Sequence, residues 1–156
     1  MAKTKKTALE YAAGLLGTRA YSTAELRKKM FEKEYPAAEI RSILEDFTKR
    51  GFLNDRLYAE SLCNALSARG NGARKIREKL RLKGIAPELI KEILESVSTE
   101  MPEEESALEA LHRKRSTLLR EPDVRKRKEK AFRFLAGRGF SAGSAYAAWE
   151  QFIKED

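Results

Sequence analysis

Between Ser67 and Gly84 the chain reads SARGNGARKIREKLRLKG, a Gly-x-Gly turn (Gly70, Gly72) running into a helical pattern crowded with Arg and Lys. Glycines ahead of a helix start can cradle a phosphate with backbone amides. The dinucleotide form of that loop needs a strand before it and a third glycine. Here a helical pattern precedes it, and Lys75 holds the third position. The triphosphate form needs Gly-Lys-Ser/Thr, which is absent. The two glycines therefore read as a tight turn between helices.

Other reactive groups stand apart from one another. His112, the one histidine, lies in the charged stretch ALEALHRKRS with no thiol or second imidazole as partner. Cys63, the one cysteine, sits among apolar helix positions in AESLCNAL. There it reads as a buried structural thiol rather than a nucleophile. A lone cysteine forms no disulfide within a monomer and fits a reducing cytoplasm, the location expected here. Asp46, Asp55, Asp123 and Asp156 are separated and lack metal-site spacing. Glu103, Glu104 and Glu105 suit the start of a helix, where the helix dipole favours acids. The expectation is a protein without catalytic site, metal or cofactor.

Charge points to a partner instead. The 156 residues carry 32 Lys and Arg against 24 Asp and Glu, a formal net charge of +8. That balance favours nucleic acid, a nucleoprotein or an acidic protein. The cations cluster at one structural position. Lys28, Lys29 and Lys33 share one helical stretch, and Arg69, Arg74, Lys75, Arg77, Lys79, Arg81 and Lys83 crowd a second. Arg125, Arg127, Lys128, Arg133 and Arg138 mark a third. In the second stretch Ile76 and Leu80 face the core, Arg74, Arg77 and Arg81 take one flank, and Lys75, Lys79 and Lys83 take the other. A short turn leading to a basic helix also describes a helix-turn-helix reader of double-stranded DNA. The stretch ARKIREKLRLKG offers few Asn, Gln, Ser or Thr for base edges, which favours backbone or protein contact.

The elements that must position these cations repeat. Ile40, Ile43, Leu44 and Phe47 fall on one helix face. A shift of 50 gives Ile90, Ile93, Leu94 and Val97, and a further 55 gives Ala145, Ala148, Trp149 and Phe152. Under the same shifts Leu26 and Met30 become Ile76 and Leu80, then Ala131 and Leu135. The turns KEYP, KGIA and RGFS align Tyr35, Ile85 and Phe140. The pattern predicts three copies of one three-helix unit, nine helices in all. The first helices span Thr7 to Leu16, Asp55 to Leu66, and about Pro102 to Leu118. The expected organisation is a basic tail at 1–6 and repeats at 7–53, 54–98 and 99–156. Together they form an all-α, elongated, curved array, with SVSTEMPEEE as a polar connector between the last two repeats.

Stop and start signals agree with this reading. STAE from Ser22 to Glu25 is a capping box. Asn54, Asp123 and Ser141 are placed to cap helices, and Pro87 suits a first turn. The aromatic residues, Phe31, Phe52 and Tyr146 among them, fall mostly at core or inter-unit spacing. Glu10 interrupts the short apolar run near the N-terminus, which argues against a targeting segment. No run reaches membrane-spanning length.

The stretches YSTAELRKKM, RGFLNDRLYAESL, GNGARKIREKLRLKGI and RFLAGRGFS resemble the RecX family of bacterial regulatory proteins. The resemblance runs from about Leu9 to Phe152 and is most specific from Ser22 to Ile93. It implies three tandem three-helix repeats and no catalytic site. It also implies binding in the groove of the RecA filament on single-stranded DNA; the chain is expected to act as a monomer, and its basic array to come near the DNA backbone. Such binding would suppress ATP hydrolysis, strand exchange and the co-protease function of the SOS response. Two departures stand out. Asn54–Asp55 occupies a place where a pair of acids is frequent, and Glu34 replaces the glycine of the other two copies (Gly84, Gly139).

Overall fold

Ser22, buried at the mouth of a helix, shows how a side chain starts one. Its hydroxyl accepts from the Glu25 amide at 3.1 Å, while the Glu25 carboxylate accepts from the Ser22 amide at 3.2 Å. The capping box is thus complete and starts α2 (Thr23–Glu32). Before it runs α1 (Ala8–Leu16), capped by Thr7, and after it α3 (Ala37–Lys49). The computed structural model describes residues 4–155.

The second repeat follows the same plan. Asn54 accepts from the Leu57 amide at 3.1 Å and starts α4 (Asp55–Ala68). Then come α5 (Ala73–Leu82) and α6 (Pro87–Glu100), the latter with proline in its first turn. The third repeat holds α7 (Glu103–Arg113), α8 (Arg115–Leu119), α9 (Val124–Gly137) and α10 (Ala142–Lys154). Asp123 caps α9 and Ser141 caps α10.

Every helix is amphipathic enough to bury one face, and the buried faces form three separate clusters. Leu26, Met30, Tyr35, Ile40, Leu44 and Phe47 anchor the first. Ile76, Leu80, Ile85, Ile90, Ile93 and Leu94 anchor the second. Ala131, Leu135, Phe140, Ala145, Ala148, Trp149 and Phe152 anchor the third. The main helix–helix packing stays inside each repeat. The result is a linear array of three small cores. Its accessible surface is 10305 Å² for 17.7 kDa, against about 7,900 Å² for a compact monomer of that mass. The excess is that of an elongated molecule.

Three expectations need correction. Ten helices form among the described residues rather than nine, because the first helix of repeat three breaks at Lys114. The break turns the following segment so that Leu118 enters the third core. The polar connector is nearly absent: α6 runs on to Glu100, leaving only Met101 and Pro102 between helices. Val97 packs partly against the second core, and the Thr99 hydroxyl donates to the Glu95 carbonyl at 2.9 Å, so the polar side chains ride an ordinary helix face. Phe31, Phe52 and Tyr146 are at least half exposed, so aromatic type at helical spacing overstated their burial. Of the basic tail expected at 1–6, positions 1–3 lie outside the described residues, as does Asp156. Lys6 accepts at its carbonyl from the Tyr35 hydroxyl at 2.7 Å, and Lys5 lies over the Tyr35 ring.

Candidate partner-binding surface

A helix start leaves backbone amides without partners and a helix end leaves carbonyls; the two ends carry opposite partial charge. This chain pairs them between repeats. The Ser22 hydroxyl, besides closing its capping box, donates to the Lys83 carbonyl at the end of α5 at 2.6 Å. One repeat on, α5 has no side-chain cap, because Gly72 stands where Ser22 stands. The Gly72 amide donates to the Arg138 carbonyl at 2.7 Å, and the Arg74 amide to the Gly139 carbonyl at 3.2 Å. The start of α2 thus meets the end of α5, and the start of α5 meets the end of α9. The three basic helices are joined start to end.

Backbone approach at these joints is close. A Cβ on Gly72 would lie 2.7 Å from the Gly139 and Phe140 backbone. A Cβ on Gly84 would lie 2.3 Å from Ala24 Cβ, and one on Gly139 would lie 2.6 Å from Lys75. The Gly-x-Gly turn is therefore a repeat-to-repeat contact, and its amides are already engaged.

The joints also consume several of the expected partner-binding cations. The Arg74 guanidinium donates to the Ala136 carbonyl at 2.7 Å, and Lys75 Nζ reaches the Gly137 carbonyl at 3.4 Å. Arg138 donates to the Arg69 carbonyl at 3.4 Å. Lys83 pairs with Glu25 at 3.5 Å. Arg127 holds the Glu121 carbonyl with both Nε and Nη2, and Lys128 lies over the rings of Phe132 and Tyr146. Lys28, Lys29 and Lys33 on repeat one remain exposed and without ion pairs among the described residues. So do Arg69, Arg77, Lys79 and Arg81 on repeat two, and Arg125 and Arg133 on repeat three.

The first joint carries a polar node that the sequence did not reveal. Asp55 Oδ1 accepts from the Thr23 amide at 2.8 Å and from its hydroxyl at 3.0 Å. Glu25 also takes Arg19 at 3.2 Å and a hydrogen bond from Tyr58. Partial burial pushes the Glu25 carboxyl up. Hydrogen bonds from Tyr58, the Ser22 amide and Arg19, with the charge of Lys83, outweigh it and hold the group below the usual carboxylate range. Burial, then the bond to Glu25, pushes the Tyr58 hydroxyl up to about 12. At the second joint Arg113, in the last turn of α7, donates to the Ala68 carbonyl at 2.8 Å and so caps α4. Neither Thr23 nor Arg113 had a sequence signal, since each acts on a residue more than 30 positions away.

Cys63 is fully buried, and burial pushes its thiol up against the opposing hydrogen bond with Ser67. His112 Nε2 lies 2.5 Å from Glu155, joining α7 to the end of α10. Among the described residues no cluster of His, Cys, Asp and Glu could hold a metal ion, and no helix is long and apolar enough to cross a membrane.

Known proteins share this plan. Residues 8–47, 54–94 and 103–149 match the first, second and third three-helix domains of RecX, respectively. A regulatory protein RecX of Thermus thermophilus is 37% identical over 142 residues, covering 91% of this chain and 89% of the relative. That of Mannheimia succiniciproducens is 35% identical over 136 residues, covering 86% and 87%. The crystal structure of RecX from Lactobacillus salivarius superposes with a TM-score of 0.83 at 18% identity, covering 94% of this chain and 95% of that one.

Proposed function

The chain belongs to the RecX family, and from that premise we propose that it regulates the RecA recombinase in the cytoplasm without chemistry of its own. It binds as a monomer in the groove of the RecA filament on single-stranded DNA. There it suppresses ATP hydrolysis, strand exchange and co-protease activity. The observation that carries this reading is the start-to-end joining of three basic helices. It spaces unpaired cations along one elongated body, repeat after repeat. A filament groove presents its own repeating surface, and many modest contacts on one body add up to avidity. An occupied groove would exclude a second DNA strand and hinder the protomer motions of ATP turnover.

The joints speak against the helix-turn-helix alternative. Such a reader inserts the first residues of its second helix into the major groove. In α2 and α5 those residues are covered by the next repeat, through Ser22 to Lys83 and Gly72 to Arg138. The test is equilibrium binding at moderate salt to RecA-coated single strands and to naked single and double strands of equal length. Tighter binding to the coated strand is expected. Equal affinity for filament and random duplex would overturn the reading.

A further inference from the structure

Repeat one carries an open groove. It lies between α2 and α3 and encloses about 620 Å³. Ala37, Ile40 and Leu44 form its floor, and Phe31, half exposed, forms one wall. Arg27, Arg41 and Lys49 stand on the rim with a single acid, Glu45. None of these four charged residues has an ion-pair partner among the described residues.

Repetition makes this groove a specific feature rather than a by-product of the fold. In repeat three the positions of Arg27 and Arg41 hold Phe132 and Tyr146, and Lys128 lies over both rings, so aromatic rings stand where repeat one has its rim cations. In repeat two the position of Phe31 holds Arg81, and the wall is cationic. Repeat one combines an apolar floor, an exposed aromatic wall and a rim with an excess of two positive charges.

We propose that this groove docks a protein segment that presents an apolar side chain flanked by Asp or Glu. A volume of this size suits one or two such side chains. The unpaired rim cations complement the flanking carboxylates, which gives orientation and partner choice. A nucleic-acid strand fits less well. The aliphatic floor gives a base no second ring to stack on, and Glu45 opposes a phosphate. This proposal rests on the function proposed above, and its segment belongs to the protein component of the filament.

Filament binding is compared for the full chain, Phe31→Ala, and Arg27→Glu with Arg41→Glu. All the altered residues are exposed, and circular dichroism checks each fold. Each variant is expected to bind RecA-coated single strands about tenfold more weakly, the loss typical of an interface anchor. Phe31→Ala should keep its affinity for naked single strands. A photoreactive phenylalanine analogue at position 48, in the groove, should crosslink to RecA at a segment with an apolar residue beside Asp or Glu. Full binding by a folded Phe31→Ala overturns the groove proposal and leaves the regulator reading standing. Crosslinking to DNA, or an equal loss on naked strands, overturns it too by making the occupant a nucleic acid. Failure of the unaltered chain to bind the filament sinks the regulator reading, and the groove proposal with it.

Discussion

The Gly72 amide donates to the Arg138 carbonyl at 2.7 Å, and these two residues have counterparts one repeat earlier. Gly72 corresponds to Ser22 and Arg138 to Lys83. There the donor is the Ser22 hydroxyl, at 2.6 Å from the Lys83 carbonyl. The same joint is built twice with different donors. Where the serine supplies an oxygen, α2 is capped by its own side chain. Where the glycine supplies none, the neighbouring backbone comes close enough to satisfy the amides of α5 directly. Each joint sets an electropositive helix start against an electronegative helix end.

A first prediction concerns the residue after each second helix. Glu34, Gly84 and Gly139 all have positive φ, at 62°, 76° and 91°. For a residue with a Cβ the left-handed region costs roughly 1–2 kcal/mol. Repeat one accommodates Glu34 because its side chain is exposed and the backbone hydrogen bonds at that turn are local, Glu34 to Phe31 and Tyr35 to Met30. Glu34→Gly should therefore raise stability by up to about 1 kcal/mol, less what glycine loses in chain entropy. Gly139→Ala meets both strain and the Lys75 backbone, and should lower stability by at least about 1–3 kcal/mol. Urea unfolding of both variants reads the contrast; a neutral Gly139→Ala would mean that the second joint is loose in solution.

Cations freed by the joints and cations used by them should behave differently. Arg77→Glu, Lys79→Glu and Arg81→Glu together should weaken filament binding and leave the thermal midpoint nearly unchanged. If the contacts are to single-strand phosphates, each one lost should flatten the salt slope by about 0.7. Arg74→Ala should instead loosen the amides at the end of α9 in hydrogen exchange, since its guanidinium holds the Ala136 carbonyl. Equal effects of both sets on binding, with no change in exchange, would place Arg74 on the partner surface after all.

The repeat was legible because it is written in apolar side chains at matching positions. Leu26, Ile76 and Ala131 are buried as their shared register requires, and so are Tyr35, Ile85 and Phe140. The caps at Ser22, Asn54, Asp123 and Ser141 were legible because capping is local. The joints were not. Asp55 to Thr23 and Arg113 to Ala68 bridge distant positions, and only the relative placement of repeats brings them together. The division of the basic residues into free and engaged sets follows from the joints, so sequence alone ranked Arg74 and Arg77 as equals. The break at Lys114 was hidden for the same reason, since ALHRKRSTLL reads as one helix until Leu118 has a core to enter.

The node at the first joint should respond to pH at both ends. The Glu25 carboxyl sits below its usual range in the folded chain, so its contribution is present above pH 4.5 and is lost as pH falls through the folded value. The Tyr58 hydroxyl is raised from 10.0 to about 12, so its contribution is whole below pH 10 and fades as pH rises towards 12. Tyr58→Phe removes a donor to Glu25 and should reduce stability by about 1 kcal/mol at neutral pH. It should also flatten the alkaline arm of the stability–pH profile. An unaltered alkaline arm would assign that loss to other groups.

The linear arrangement makes the most exposed prediction, because it ties the fold to the mechanism. Leu80 lies in the second core and Trp149 in the third, both essentially without solvent contact. Leu80→Ala should cost roughly 2–5 kcal/mol and Trp149→Ala roughly 3–5 kcal/mol. In an array whose helices pack mainly within their own repeat, the damage stays with that repeat and its neighbour. Hydrogen exchange should show α4, α5 and α6 losing protection in Leu80→Ala, and α7, α9 and α10 in Trp149→Ala. The first repeat should be nearly untouched by Trp149→Ala, two joints away. Uniform loss across the whole chain in both variants would mean a single cooperative unit. The joints would then be as strong as the cores, and the protein would meet its filament as one rigid block rather than as three repeats able to settle one by one along a groove.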